Sequence, residues 1–353
     1  MFDKKSTFKF SIVHAALLLL SVQLLIGYLF SDYPDWSIQY REFFIQWLVV
    51  FFAITYITTT RERFYILLLV FYLCSLKLAY GTAIIWAKRG FSFSSWGIMG
   101  PPGYFQNSGE LAIQMLIFFA LSYYLLKQFY SSSNKWEKLL LAIGLVAPVM
   151  TILGASSRGA QLALAVLIAC LVGFRVFRIK YVLGLILVSI LILALLPDEQ
   201  KERFSSMGED RTSEQRLLYW TRGIEMVQEH PLTGVGYYNF IPYFTDHYSD
   251  DILFTNRAGE KVAELPHNIL IQIATDGGIP ALIYYLIIIF YCLFPKANIE
   301  PFAAIDKGLC LGVLGFFVAG QFFTVGYYPF LWVSAAFIVA VRRVGVGNNK
   351  ADL

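Results

Sequence analysis

Charge is scarce in this chain. Only 15% of its 353 residues are Asp, Glu, Lys or Arg, against about a quarter in a soluble globular protein. Cysteine is equally sparse: Cys74, Cys170, Cys292 and Cys310 each sit inside an apolar run, and none is spaced as CxxC. That excludes a disulfide framework and a zinc site and leaves the four thiols to be read as small buried hydrophobes. There is no Walker loop, no GxGxxG and no cluster with metal-ligand spacing. The missing DxD pair argues against a nucleotide-sugar donor. The net charge of +4 offers nothing to nucleic acid. No internal repeat appears at any period, and the two halves show no inverted symmetry. The alternation of barrel strands is also absent.

What is present is apolar length. Hydrophobic residues make up 58% of the chain, which holds 31 Phe and 22 Tyr, and mean hydropathy is +0.61. A helix needs about 20 apolar residues to cross a bilayer core. Runs of that kind predict about ten spans, near 8–30, 42–60, 63–86, 108–129, 137–154, 159–177, 181–196, 267–294, 304–323 and 326–342. Inside a bilayer each backbone polar group must be satisfied within its own segment, so the expected class is all-α and polytopic. The run from Phe10 to Phe30 follows Lys4, Lys5 and Lys9 but has no small-residue cleavage site after it. It reads as a retained first span rather than a signal peptide.

Basic residues set the expected orientation. With the N-terminus in the cytoplasm, that side collects Arg61, Arg63, Lys127, Lys135, Lys138, Arg175, Arg178, Lys180, Lys296, Lys307, Arg342, Arg343 and Lys350, besides the N-terminal lysines. The short loops opposite keep only Arg41, Lys88, Arg89 and Arg158. Both termini are then cytoplasmic. The chain divides into membrane helices over 1–196, one large external loop over 197–265 containing short helices, and membrane helices over 266–353.

The external side carries an unusual set of arginines: Arg158, Arg203, Arg211, Arg216, Arg222 and Arg257. Guanidinium groups grip phosphate oxygens in a bidentate fork and stay charged at any working pH. A pyrophosphate at the membrane surface suits such a set, although Glu199, Glu202, Glu209, Asp210 and Glu214 offer ordinary charge balance. Arg158 lies among Gly154, Ala155, Ser156, Ser157, Gly159 and Ala160 at the start of a span, which leaves room for an anionic headgroup. In "RTSEQRLLYWTRG" Arg211, Gln215 and Arg222 fall near one helical face, whereas Arg216 and Trp220 share another. Only one of these faces can point at a site, and Trp220 is equally a bilayer anchor. His267 opens an apolar helix at the external surface and has the chemistry of a general base; the plainer reading is a helix-entry histidine facing water. Asn107, with Ser108 and Glu110, either lines a polar site or caps the fourth span. "DGG" at Asp276–Gly278 is expected to break the helix after His267, separating a short surface helix from the true span.

Three segments in order carry a resemblance: "SSRGAQLAL", "RLLYWTRGIEMVQEHPLTGVGYYNF" and "PHNILIQIATDGGIPAL". Over residues of about 154–282 the chain resembles the O-antigen ligase and O-antigen polymerase superfamily. The resemblance implies a GT-C-like membrane fold in the bacterial inner membrane with a periplasmic active site. It implies a donor of undecaprenyl diphosphate carrying an oligo- or polysaccharide, an acceptor such as lipid A–core or another glycan, and inverting transfer without metal or cofactor. By match, Arg158 and Arg216 hold the diphosphate, Arg222 helps, and His267 activates the acceptor hydroxyl beside Asn268. One departure is "MGPPGYFQNSGE", where many members place an arginine and this chain has Gly or Pro, with Lys88 and Arg89 upstream. Within the family the expected job is ligation of finished glycan, with polymerisation of repeat units as the alternative and protein O-glycosylation as a third. Outside the family the alternatives are a transporter or flippase, against which the polar machinery outside the membrane argues, and a structural scaffold.

Overall fold

The ends of the apolar runs carry the residues that start helices. Asn107, Asn134 and Asn268 each accept hydrogen bonds from first-turn amides with their side chains, and Thr60 and Ser157 do the same. Pro34 and Pro329 open helices at positions where no amide is needed. The computed structural model describes residues 9–92, 97–105, 107–173, 211–255 and 258–345. The helices are α1 (Ile12–Leu29), α2 (Pro34–Ile57), α3 (Arg61–Lys88), α4 (Ser108–Phe129), α5 (Lys135–Gly154) and α6 (Arg158–Val172). They continue with α7 (Arg211–Glu229), α8 (Phe240–His247), α9 (Ile269–Leu293), α10 (Phe302–Ala319) and α11 (Pro329–Val344). Among the described residues there is one isolated β-bridge, Thr255 to Lys261, and no strand. The span expected at 181–196 lies outside the described residues, as do Arg203 and Arg257 and the basic residues Lys4, Lys5, Arg175, Arg178, Lys180 and Lys350.

Seven described helices are long and apolar enough to cross a membrane: α1 to α5, α9 and α10, the last extended to Phe322. The chain is a polytopic all-α membrane protein. α6 and α11 coincide with expected spans but are shorter, at 15 and 16 residues. Outward faces are apolar, with Leu18, Val22, Ile66, Leu69, Leu139 and Val146 exposed. Cys74 and Cys170 belong to those outward faces, which corrects the expectation that all four thiols are buried; Cys292 and Cys310 are.

α10 is the hub. It packs along α4, α6 and α11. Gly308 and Gly312, one turn apart, let it approach α4 so closely that a Cβ on either would stand 3.0 Å from the Cα of Leu121 or Ile117. Small residues four apart are how membrane helices gain packing where the hydrophobic effect offers little between them. At one end of the bundle Asp306 is fully buried and accepts from the Lys296 and Ala297 amides (2.7 and 2.9 Å) and from Arg342 Nε (3.1 Å). Arg342 also donates to the carbonyls of Tyr291 and Phe294, and Arg343 to those of Thr55 and Thr58. These arginines, counted above among the cytoplasmic basic residues, close the helix ends. His14 is a satisfied core histidine, 3.2 Å from Thr55 Oγ1.

At the other end α9 is broken. Gly277 and Gly278 leave helical geometry, Gly278 with φ +72°. The segment before the break does not lie on the surface as expected: Ile269 and residues 272–276 are buried, because α1, α7 and the 231–239 loop pack around it. An unbroken helix would pair the Ile279 amide with the Thr275 carbonyl. Here Ile279 donates to the Pro231 carbonyl (2.8 Å), and the Thr275 carbonyl accepts from Val235 (2.7 Å). Gln23 of α1 donates to the Gly277 and Leu232 carbonyls at 2.9 and 2.6 Å. Gly234, at φ +64°, is the close-approach point, since a Cβ there would stand 2.2 Å from the Thr275 oxygen.

Gly234→Ala should therefore destabilise the protein by on the order of 3 kcal/mol, from left-handed strain and overpacking together. Gly259→Ala, also at positive φ but in open space, should cost about 1–2 kcal/mol. Thermal release of the buried Cys292 and Cys310 thiols checks this, in a background carrying Cys74→Ala and Cys170→Ala; equal shifts for both glycines would contradict it.

Candidate functional site

Helix N-termini gather at the end of the bundle that holds the α9 break. Asn268 caps α9, accepting from the Leu270 and Ile271 amides at 2.9 and 3.2 Å, and its Nδ2 donates to Gln321 Oε1 (3.3 Å). Ser157 caps α6, and a Cβ on the next glycine of that helix, Gly159, would stand 2.9 Å from Phe322. Asn107 caps α4 in a reciprocal box with Glu110 (both bonds 3.0 Å), and Gly109 packs against the ring of Phe323. The turn at 320–324 thus touches three helix starts, each contributing partial positive charge from unpaired amides. Of the two readings of Asn107, the cap is what the geometry contains. Arg158 is the first residue of α6 at this junction.

His267 immediately precedes the α9 cap in the left-handed region, at φ +51°. Its amide donates to Thr324 Oγ1 (2.9 Å), and the carbonyl of the preceding Pro266 accepts from Trp220 Nε1 (2.8 Å). The residue is fixed from both sides. Its imidazole Nε2 lies 3.2 Å from Glu264 Oε2, with 27% of the side chain exposed. The Glu264 amide in turn donates to the Tyr219 hydroxyl (2.7 Å); burial pushes that hydroxyl up to about 12, so it stays protonated. The hydrogen bond from His267 holds the Glu264 carboxyl below the usual carboxylate range, and the charge of Arg216 acts in the same direction. Glu264 and His267 therefore form a hydrogen-bonded pair, and Arg216 acts on Glu264 by charge.

α7 presents its two polar faces to different neighbours. Arg211 donates to the Leu253 carbonyl, and Gln215 Nε2 to that of Asp251 at 3.0 Å. Arg222 pairs with Asp251 (2.6 Å) and Glu225 (2.7 Å) and stacks over Tyr248. That face holds the 248–254 segment against the helix. The other face carries Arg216 and Trp220 toward Glu264, Pro266 and His267. The structure brings together Arg216, Trp220, His267 and Asn268. It reaches Arg158 and Asn107 through the 320–324 turn and turns Arg222 away. His230 contacts the Tyr243 hydroxyl (3.2 Å) and His247 stacks on the Tyr243 ring, so both are occupied elsewhere.

Two features escaped the sequence reading. Glu264 lies in a loop three residues before His267, where no periodicity marks it. Asn268, Gln272 and Asp276 form a polar stripe at four-residue spacing inside an apolar run, a signal that was available. Gln272 accepts from the Gly326 amide (3.0 Å) and Asn268 donates to Gln321, so the stripe fastens α9 to the 321–327 segment, with the Asp276 carboxyl buried at its end.

Arg222→Gln should unpair Asp251 and Glu225 and speed hydrogen exchange of residues 248–254, with the turnover at saturating substrate nearly unchanged. Unaltered exchange with weakened donor binding would instead give Arg222 a ligand role.

Residues 143–286 match the family model described as O-antigen ligase. No curated protein matches the chain. The matched segment contains the whole arrangement from Arg158 through the α7 faces and His267 to the α9 break. Over this segment the chain is similar to the O-antigen ligase family.

Proposed function

We propose that this protein is a glycosyltransferase that moves an undecaprenyl-diphosphate-linked oligo- or polysaccharide onto an acceptor hydroxyl at the periplasmic face of the bacterial inner membrane. The reading is of the ligase type, inverting and independent of metal and cofactor. One observation carries it: a hydrogen-bonded imidazole and carboxylate stand at the capped start of a membrane helix, against the α7 face that bears Arg216 and beside the start of the span that Arg158 opens.

The end of the bundle away from this group carries Arg61, Arg63, Lys127, Lys135, Lys138, Lys296, Arg342 and Arg343. By the positive-inside rule that end is cytoplasmic and the group is external. The same bias supports cytoplasmic termini and the division into membrane helices (1–196), periplasmic loop (197–265) and membrane helices (266–353), with about ten spans. The partners are the lipid-linked donor, a glycan or lipid A–core acceptor, and membrane lipid.

The chemistry follows from the charges. As the bond from the anomeric carbon to the diphosphate oxygen breaks, negative charge grows on the leaving diphosphate. Arg158, Arg216 and the helix starts around the 320–324 turn are fixed positive groups that stabilise this charge more in the transition state than before it. His267 takes the proton of the acceptor hydroxyl as its oxygen bonds to the anomeric carbon from the opposite face. Glu264 orients the ring and stabilises the imidazolium. Arg222 is held by Asp251 and Glu225; the diphosphate is assigned to Arg158 and Arg216 by their match to the family's motifs.

Reconstitution with a defined lipid-diphosphate glycan and acceptor tests this. Arg158→Ala and Arg216→Ala should each lose about 10²–10³-fold in rate, and Arg216→Lys should recover part of it, since an ammonium lacks the planar fork. His267→Ala should lose roughly 10²–10⁴-fold while still binding donor, and EDTA should change nothing. Glu264→Gln should cost roughly 10- to 100-fold, the worth of a hydrogen bond to a charged group. Full activity in His267→Ala removes it from the chemistry. In a deletion strain, single repeat units without lipid-linked polymer would replace ligase by polymerase.

A further inference from the structure

α7 has more apolar surface than its contacts with the protein require. Tyr219, Gly223 and Met226 are buried, and Gly223 lies so close to α9 that a Cβ would meet Ile271 at 2.5 Å. At 100° per residue these occupy one arc, with Gln215 beside them. Glu214, Thr221, Glu225 and Gln228 occupy a polar arc. Between the two runs a second apolar arc, Leu217, Trp220, Ile224 and Val227, spaced three and four apart. Leu217 is 57% exposed and Ile224 54%. A helix at a protein surface in water shows one apolar stripe, facing the core; this one shows a second, facing outward.

The outward arc leads into the membrane face of a span. Beyond α7 the chain reaches Leu232, 70% exposed, which packs on the α9 break: a Cβ on Gly278 would stand 2.7 Å from its carbonyl carbon. The next residue of α9, Ile279, donates to the Pro231 carbonyl at 2.8 Å. Ile279 and Ile283 are 47% and 49% exposed, and Phe290 lower on the same span 55%. Exposed apolar side chains therefore occur on the span at Ile279, Ile283 and Phe290, at the break at Leu232, and on α7 at Ile224 and Leu217.

We propose that α7 lies in the bilayer, with Leu217 and Ile224 immersed among the acyl chains of the leaflet at the site end, Trp220 at the edge of that arc where its Nε1 bonds the Pro266 carbonyl, and the polar arc toward water. Interfacial helices bind membranes in this way, with tryptophan at the headgroup level. Arg216 falls on the wheel between the immersed arc and the arc packed on α9. Its guanidinium is thereby held at phosphate depth, the depth at which a lipid anchored in the same leaflet presents its own phosphates. Immersion requires only that α9 cross a bilayer, and it holds whether or not His267 takes a proton.

The test is electron paramagnetic resonance on the full-length protein in nanodiscs of phosphatidylethanolamine and phosphatidylglycerol, with Cys74 and Cys170 replaced by alanine. Single spin labels go on Leu217→Cys and Ile224→Cys, on Thr221→Cys as the aqueous reference and on Ile283→Cys as the lipid reference. At positions 217 and 224 collision with oxygen relative to a water-soluble nickel chelate should be several-fold higher than at 221 and should approach that at 283. Chelate accessibility equal to that at 221 would overturn immersion. So would labels shielded from both reagents, which mean that protein covers the arc, or dipolar broadening between labels, which means a second copy does. Immersion measured alongside an inactive protein would leave α7 in the leaflet and sink the catalytic reading alone.

Discussion

One hydrogen-bond exchange holds the architecture together. Where α9 breaks, the amide of Ile279 and the carbonyl of Thr275 lose each other, and both are taken up by the ends of one short loop, Pro231 and Val235. In an apolar environment neither group can be left bare. The loop is thereby tied to the span, and with it α7 and α8 on either side. Gln23 adds two more bonds from α1. The sequence around His230–Gly236 and Asp276–Gly278 is thus explained without any chemical role: Gly234, Gly277 and Gly278 permit backbones to touch, and the bonds lock them.

The break has a consequence for the site. It lets α9 carry eight helical residues, Ile269 to Asp276, above the straight part of the span, enclosed by other elements rather than by lipid. The capped start of this upper segment puts His267 against Thr324, Glu264 and the face of α7 that bears Arg216. Left-handed backbone at a non-glycine residue costs energy and persists only where its surroundings over-determine it. His267, Ser156 and Tyr238 all have positive φ, one in each of the three segments that carry the family resemblance. The fourth such residue among those described, Phe91, lies outside these segments.

Much of this was legible in the residues. Hydropathy located the described spans to within a few residues, except that α2 begins at Pro34 rather than near 42, since its first turns carry Asp35, Gln39 and Arg41. Helical spacing separated the Arg211, Gln215 and Arg222 face from the Arg216 and Trp220 face, but only the partners in space decided between them. Asp251 and Leu253 claim the first, and Glu264 and Pro266 stand by the second. Glu264 had no periodicity to announce it. Asp276, Glu110 and Asp306 were overlooked as buried charges because each lies near a helix end or break, where a hydropathy average reads it as loop. The segment after His267 was expected on the surface because a break so close to a helix start normally leaves a free turn. Nothing local reveals that α1, α7 and the 231–239 loop close around it.

The account stands on guanidinium groups gripping a lipid diphosphate beside His267. The most direct measurement is the relative affinity of the purified protein for undecaprenyl diphosphate and undecaprenyl monophosphate. The wild-type protein should prefer the diphosphate, and the preference should vanish in a folded variant carrying Arg158→Gln and Arg216→Gln. A preference that survives both substitutions would contradict the account.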